Sequence, residues 1–382
     1  MSNLERLQGP SLTQPWELFS RRYWERLVRQ PSFVRWASRF PLTRPIARRR
    51  AGDLFDLAAG FVYSQVLSAC IQLNLFEIVA ENPKTPDQLA PLIGLNREQT
   101  EKLLTAACSL NLLKRRAGDR FGLGHLGSAV LANPGVAEMV RHHALFYSDL
   151  SDPVRLMREP EMPTNLADFW AYAKAQDKKG LVDDQTRDYS ALMAASQAFI
   201  ADEVLSAFPL TNVGCLLDVG GGEGAFVCEA AKQSTNSQFI LFDLPSVAER
   251  AQARFETERI VDRAKAIGGD FFADSLPKGA DAVSFIRVIH DHDDESALRL
   301  LASAKRVLPP GGTLLLAEPM SGTSGVERMG DAYFAFYLLA MKSGKPRTRQ
   351  TLSDMLSAVG FQSIRPLATN NPIICSVLVA KA

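Results

Sequence analysis

The residues best suited to chemistry lie in the C-terminal half of the chain. Arg287-Val-Ile-His290-Asp-His292-Asp-Asp-Glu295 closes an apolar run from Ala282 that predicts a strand over 282–289. A histidine at a strand end titrates near neutrality and is suited to accept a hydroxyl proton. Alternating His and Asp also puts two metal ligands on one strand face. Asp293, Asp294 and Glu295, however, fall where a helix start favours acids, which argues for a cap over a metal site. Asp243 and Glu318 each end another apolar run. His142-His143 is a second histidine pair, read as core or surface.

Cys215-Leu-Leu-Asp-Val219 reads as a buried strand running into Gly220-Gly-Gly-Glu-Gly224, with a helix from Ala225. Strand, glycine turn and helix let a cofactor approach the backbone closely. Read as Gly220-x-Gly222-x-x-Ala225, the turn is a weak dinucleotide fingerprint. Read as Asp218-x-Gly220-x-Gly222-x-Gly224, it puts an acid in the strand before the turn. A carboxylate there disfavours pyrophosphate and favours a cationic sulfonium with an amino group, as in S-adenosylmethionine (SAM). Asp243 can hold ribose hydroxyls in either case and does not discriminate.

These residues need a frame. Runs at 238–243, 264–267, 282–289, 312–317, 364–367 and 373–379 predict further strands, with helices over 247–258, 293–307 and 348–359. The alternation predicts an α/β fold, a mostly parallel sheet with helices on both faces and ligands at the strands' C-terminal ends. Residues 53–133 read as three helices and a hairpin, the winged-helix order. Its would-be recognition helix carries Arg97, Glu98, Glu101 and Lys102, which sum to zero, whereas a phosphate-facing helix should be basic. Dimerisation is the better reading, and no nucleic-acid partner is expected. Residues 134–212 are expected to be a helical linker that lines the substrate site, and 213–382 the cofactor domain.

Residues 1–52 form a basic arm containing Trp16, Trp24 and Trp36; positions 1–50 hold eleven arginines against three acids. Short helices are expected over 16–29 and 33–39, broken by Pro31, Pro41 and Pro45. Basic residues interleaved with aromatics fit packing on the body or a second subunit, an anionic membrane surface, or nucleic acid. The remaining composition is that of an ordinary globular chain, 46% hydrophobic and 22% charged over 382 residues. No run of about 18 apolar residues is seen, arguing against a membrane-spanning helix. The polar N-terminus is not a secretory signal, and five scattered cysteines favour a reducing cytoplasm.

Leu217-Asp-Val-Gly-Gly-Gly-Glu-Gly224, Phe242-Asp-Leu-Pro245, Gly269-Asp-Phe-Phe272, Arg287–Glu295, Leu308-Pro-Pro-Gly-Gly312 and Glu318-Pro319 stand in order. Together they resemble the SAM-dependent O-methyltransferases of the caffeate/acetylserotonin type, over roughly residues 55–382. Phe40–Arg50 and Leu54–Gln65 look more narrowly like the carotenoid 1-hydroxy O-methyltransferases of purple phototrophic bacteria. The resemblance implies a Rossmann-like methyltransferase sheet, a winged-helix-like dimerisation domain, a homodimer and no metal. It implies that Gly220, Gly222 and neighbouring backbone cradle SAM, with Asp218 in the preceding strand. Asp243 would hold the ribose, Gly269, Asp270 and Phe271 would bracket the adenine, and Arg287 would contact SAM. His290 matches the general base and Glu318 the first of two acids orienting it. The chain departs from the pattern at Arg349, where the second acid is usual, and at His292, where an aromatic is usual.

The implied acceptor is apolar: the tertiary 1-hydroxyl of an acyclic carotenoid, with a phenol or polyketide as the alternative. The apolar segment Tyr333–Met341 is a candidate pocket wall, with Phe146, Tyr147 and Trp170 as neighbours. The expected location is cytoplasmic, with the arm a candidate for peripheral contact with the photosynthetic membrane.

Overall fold

A computed structural model describes residues 25–170, 197, 199–372 and 375–382. The expected helix over 16–29 lies largely outside this range, as do Trp16, Trp24 and Met193 of the expected helical stretch 134–212. Pro31 and Pro45 start helices instead of breaking them, since proline's fixed φ suits the first turn: α1 spans Pro31–Arg39 and α2 spans Arg44–Gln72. The expected arm boundary at 52/53 therefore falls inside α2. This 29-residue helix is long and apolar enough, by length and composition, to cross a membrane. That corrects the expectation that no stretch qualifies. Its last turns pack inward through Cys70 and Ile71, while Leu54, Phe55, Leu57, Phe61 and Val62 face solvent in the single chain.

The next unit has the predicted order. Helix α3 (Leu75–Ala80) leads to α4 (Pro86–Ile93) and α5 (Arg97–Ser109). Both α4 and α5 start at capping boxes, Thr85 with Gln88 and Asn96 with Gln99, so each side chain satisfies the other's orphan amide. Strands β1 (Leu113–Arg116) and β2 (Arg120–Leu123) form the antiparallel wing, followed by α6 (His125–Ala132). On α5 the charges pair locally: Arg97 with Asp87 and Glu101, Lys102 with Glu98. Helices α7 (Pro134–Asp149), α8 (Pro153–Arg158) and α9 (Asn165–Phe169) lead on toward the cofactor domain.

The C-terminal domain begins with β3 (Cys215–Val219), α10 (Ala225–Gln233), β4 (Gln238–Asp243), α11 (Pro245–Thr257), β5 (Ala264–Gly268), β6 (Ala282–Ile286), α12 (Asp294–Val307) and β7 (Thr313–Glu318). It ends with α13 (Phe334–Met341), α14 (Arg349–Ala358), β8 (Gln362–Leu367) and β9 (Ser376–Lys381). The seven strands lie in the order β5-β4-β3-β6-β7-β9-β8. The first five are parallel, and β9 runs antiparallel to both β7 and β8. Apolar layers cover both faces, one around Phe226, Phe239 and Phe255, the other around Phe285, Leu300 and Leu356. Strand β6 is shorter than expected. It stops at Ile286 because Arg287 adopts a left-handed backbone (φ 59°), and Ile289–Asp291 form a 3-10 turn. A bulky residue in that conformation is strained and marks a functional region.

Candidate active site

The glycine turn after β3 is tight beneath and open above. Gly220, Gly222 and Gly224 all have positive φ. A Cβ at residue 221 would lie 2.5 Å from Asp218 Oδ2 and 2.8 Å from Leu241, and one at 224 would lie 2.5 Å from Phe255. A Cβ at 222 would meet nothing within 4 Å. Asp218 lies under the turn in β3, not on the pocket wall. Its Oδ1 accepts from Ser284 Oγ at 2.7 Å, and Oδ2 has no partner among the described residues. Burial, with Asp243 adding and the Ser284 bond opposing, pushes its pKa up to about 7.

Asp243 ends β4 beside this turn. Its Oδ2 accepts from the Gly222 amide at 2.8 Å and Oδ1 from the Leu244 amide at 2.7 Å. Gly269 donates its amide to the Asp243 carbonyl at 2.8 Å. A Cβ there would strike the Phe242 ring at 2.5 Å. Asp270 accepts from the Phe272 amide at 2.9 Å, and Phe271 meets Phe272 and His292 edge to face. Gly269, Asp270 and Phe271 thus sit beyond the end of β5, next to Asp243.

His290 is buried on the 3-10 turn, four residues past the end of β6, and not directly at a strand end as expected. Its Nδ1 is 2.6 Å from Glu318 Oε2, while Glu318 Oε1 accepts from the amides of Val288 (3.1 Å) and Ile289 (2.7 Å). Its Nε2 is 3.1 Å from Asp291 Oδ1. Burial alone would lower the His290 pKa, but the charges of Asp291 and Glu318 outweigh it, and the pKa rises above the ordinary 6.5. The departure expected at Arg349 takes a different form: Arg349 is an exposed residue opening α14, and the second acid at His290 is its neighbour Asp291. His292 packs against Phe271 and Phe272, and burial, helped by His290, lowers its pKa to about 4.

Of the predicted residues, Gly220, Gly222, Arg287 and His290 line one pocket, together with Gly221, Glu223, Ile286, Asp291, Trp170 and Tyr337. Glu318 stands behind His290. The segment before α14 holds the turn in place. Lys345 donates its amide to the His290 carbonyl at 2.9 Å. The buried Arg347 guanidinium donates to the carbonyls of Ile289 (2.9 Å) and His292 (2.8 Å) and to Asp294 (2.9 Å). Sequence reasoning missed Arg347 because nothing in Lys345–Arg349 signals that one of its arginines is buried.

It also missed the wall facing the glycine turn. Tyr337 Oη accepts from Trp170 Nε1 at 3.0 Å and lies 2.7 Å from His142 Nε2. Burial, with a smaller effect of His143, lowers His142 to about 4, so the imidazole is neutral in this hydrogen bond. His143 likewise meets Tyr333 at 2.8 Å. Phe146 and Met341 belong to the core behind this wall, and Tyr147 is bonded to Ser64 of α2. The spacing of His142, His143 and Phe146 on one helix was the available signal.

A glycine cradle and a buried His–carboxylate pair at the C-terminal ends of a doubly wound sheet define a group-transfer enzyme built around an adenosyl cofactor. Residues 147–362 match the family model of the O-methyltransferase domain, and 55–133 that of the O-methyltransferase dimerisation domain. The chain is 40% identical to demethylspheroidene O-methyltransferase of Cereibacter sphaeroides over 356 residues, covering 93% of each chain. It is 38% identical to that of Rhodobacter capsulatus, covering 90% of this chain and 85% of the relative. The fold also matches human N-acetylserotonin methyltransferase solved with SAM, at a TM-score of 0.72 and 24% identity, covering 87% of this chain and 97% of that one. The chain belongs to the O-methyltransferase family and is a SAM-dependent enzyme.

The residues present fit that cofactor: the cradle is open above Gly222, Asp218 keeps an orphaned buried oxygen under the turn, and the Asp243 carboxylate sits at its edge. Among the described residues, no group of three or more His, Cys, Asp or Glu is placed to hold a metal.

Proposed function

We propose that this enzyme methylates the tertiary 1-hydroxyl of an acyclic carotenoid, with His290 as general base. The observation that carries the reaction is His290 itself, held by Glu318 at Nδ1 and opening on the same pocket as Gly220 and Gly222. The acceptor class is supported by the relatives' named substrate and by the wall. The Tyr337 hydroxyl is engaged by Trp170 and His142, which leaves the aromatic ring to meet an apolar molecule.

When bound, SAM supplies a methyl group activated by a positively charged sulfur. Gly220, Gly222 and Asp243 would hold it, with Gly269, Asp270 and Phe271 toward the adenine and Arg287 as a further contact. The Asp218 carboxylate lies beneath. Glu318 holds the His290 proton on Nδ1, and the acceptor hydroxyl takes the place of Asp291 Oδ1, 3.1 Å from Nε2, at the Nε2 lone pair. A tertiary alcohol is far less acidic than a phenol, whose pKa is about 10. His290 would therefore take the proton as the O–C bond forms and the methyl–sulfur bond breaks onto sulfur, and Glu318 and Asp291 stabilise the imidazolium. Arg347 fixes the turn so that the hydroxyl lies in line.

The exposed apolar face of α2 is covered by a second copy of the chain, in keeping with the dimerisation-domain match. The locally paired charges of α5 support this over a nucleic-acid role. The enzyme acts in the cytoplasm, with the basic arm as peripheral membrane contact. Incubation with methyl-labelled SAM and a panel of 1-hydroxylated acyclic carotenoids and phenols tests the acceptor. Label should enter the carotenoids. Label in the phenols alone would overturn the acceptor and leave the base intact.

A further inference from the structure

We propose that α1 and the start of α2 form a membrane-surface element that binds anionic phospholipid headgroups. Its benefit to the enzyme rests on the apolar-acceptor reading above, but the binding itself follows from the surface. Residues 26–52 contain eight arginines and no acid. Among the described residues, no ion pair engages Arg35, Arg39, Arg44, Arg48, Arg49 or Arg50. Between these cations stand apolar side chains that an isolated helix has no reason to expose: Trp36 is 50% exposed, Ile46 58% and Leu42 79%. Helix α1 buries only Ala37.

The arrangement is amphipathic in the manner of an interfacial helix. Trp36 stacks on Phe40 with ring centroids 5.0 Å apart, one helical turn on, and Phe33 stands 5.6 Å from Trp36 one turn back. Arg35 and Arg39 flank this row and share a surface groove with Trp36 and Phe40. Guanidinium groups pair with phosphate oxygens in two-pronged fashion. Indole and phenyl rings prefer headgroup depth, and leucine and isoleucine gain from the acyl boundary below it.

Other occupants fit less well. A second copy docked here about a two-fold axis would set arginines against the same arginines. Nucleic acid would meet the charge but leave Val34, Leu42 and Ile46 in water. An anionic bilayer meets both. Each arginine near such a surface adds to the attraction, so several together anchor the chain reversibly. Because α2 runs unbroken from Arg44 into the helical unit, the arm is tied stiffly to the enzyme. An acceptor dissolved in the bilayer then reaches the enzyme without crossing water.

The test is co-sedimentation of the full-length protein with vesicles of phosphatidylcholine alone or mixed with phosphatidylglycerol. The proposal expects retention on the mixed vesicles, release by high salt, and binding weakened at least about tenfold in both R35E/R39E and W36A. S-adenosylhomocysteine affinity by calorimetry and oligomeric state by sedimentation should match wild type, which shows that the variants fold. Equal retention on both vesicle types, unweakened binding in the variants, an oligomeric change in place of lipid loss, or retention by duplex DNA without vesicle binding would each overturn it. Turnover of a detergent-solubilised carotenoid is measured in parallel. Vesicle binding without turnover removes the acceptor reading alone, and turnover without vesicle binding removes this inference alone.

Discussion

Replacing Glu318 with glutamine should disable the base while preserving the shape of the site. Glu318 Oε1 accepts two amide hydrogen bonds, from Val288 and Ile289, so the glutamine carbonyl must stay there. Its NH2 group then faces His290 Nδ1, 2.6 Å away in the wild type. Two donors cannot share that contact, so the imidazole proton moves to Nε2 and the lone pair turns away from the acceptor hydroxyl. In histidine–carboxylate pairs of this kind the same exchange costs up to about 10⁴ in kcat. Asp291 at 3.1 Å keeps part of the imidazolium stabilisation, so the expected loss is about 10² to 10⁴. A second effect has a definite sign. The base works unprotonated, so the rate rises with pH through the His290 pKa, which lies above 6.5. A charge-assisted hydrogen bond contributes about 1.5–3 kcal/mol, so its loss should move the acid limb down by about 1–2 pH units. The assay is the pH profile of single-turnover methyl transfer, with S-adenosylhomocysteine affinity as the control. A variant within about threefold of wild type, or a limb that moves up, would refute the reasoning.

Arg347→Met should lower urea-unfolding stability by about 2–4 kcal/mol, because one buried and one partly buried carbonyl lose a charged donor. It should also reduce kcat with SAM affinity nearly unchanged, and Arg347→Lys should rescue in part. Tyr337→Phe should cost about 1–2 kcal/mol of stability by removing the acceptor of the Trp170 Nε1 hydrogen bond but leave kcat within about threefold, since that hydroxyl is engaged by Trp170 and His142; a large kcat loss would assign it a contact with the acceptor. Asp218 has a folded pKa of about 7 against 3.8 unfolded, so the folded state holds its proton more tightly. The stability this gives is complete below about pH 4 and is lost as pH rises through about 7. Asp218→Asn should therefore raise the apo-enzyme melting temperature at pH 8 relative to wild type more than at pH 5, while weakening SAM binding; an equal effect at both pH values would contradict the assignment.

Much of the scaffold was legible because local chemistry and tertiary structure agree. The run at 215–219 before the glycine turn and the acids at 293–295 that open α12 place strand and helix to within a few residues. Misplacements came where tertiary context overrides pattern. The run at 282–289 is apolar but for Ser284 and Arg287, yet the left-handed turn at Arg287 ends β6 early and puts His290 on a 3-10 turn. Pro45 looked like a breaker because a proline at N1 and one at a helix end read alike in sequence. The support around the base was mostly invisible. Arg347 comes from a segment 57 residues beyond His290, and the His142–Tyr337–Trp170 network joins two helices and the cap of α9 through contacts that no local spacing encodes.

The central claim is that the Gly220–Gly222 turn presents a methyl donor to His290, and a crystal structure with S-adenosylhomocysteine tests it most directly. The account predicts the adenosyl group beside Asp243, the amino acid end over the glycine turn, and the sulfur facing His290 Nε2 across the width of one hydroxyl. Density outside that cradle, or a sulfur nearer to another proton acceptor with His290 turned away, would contradict it.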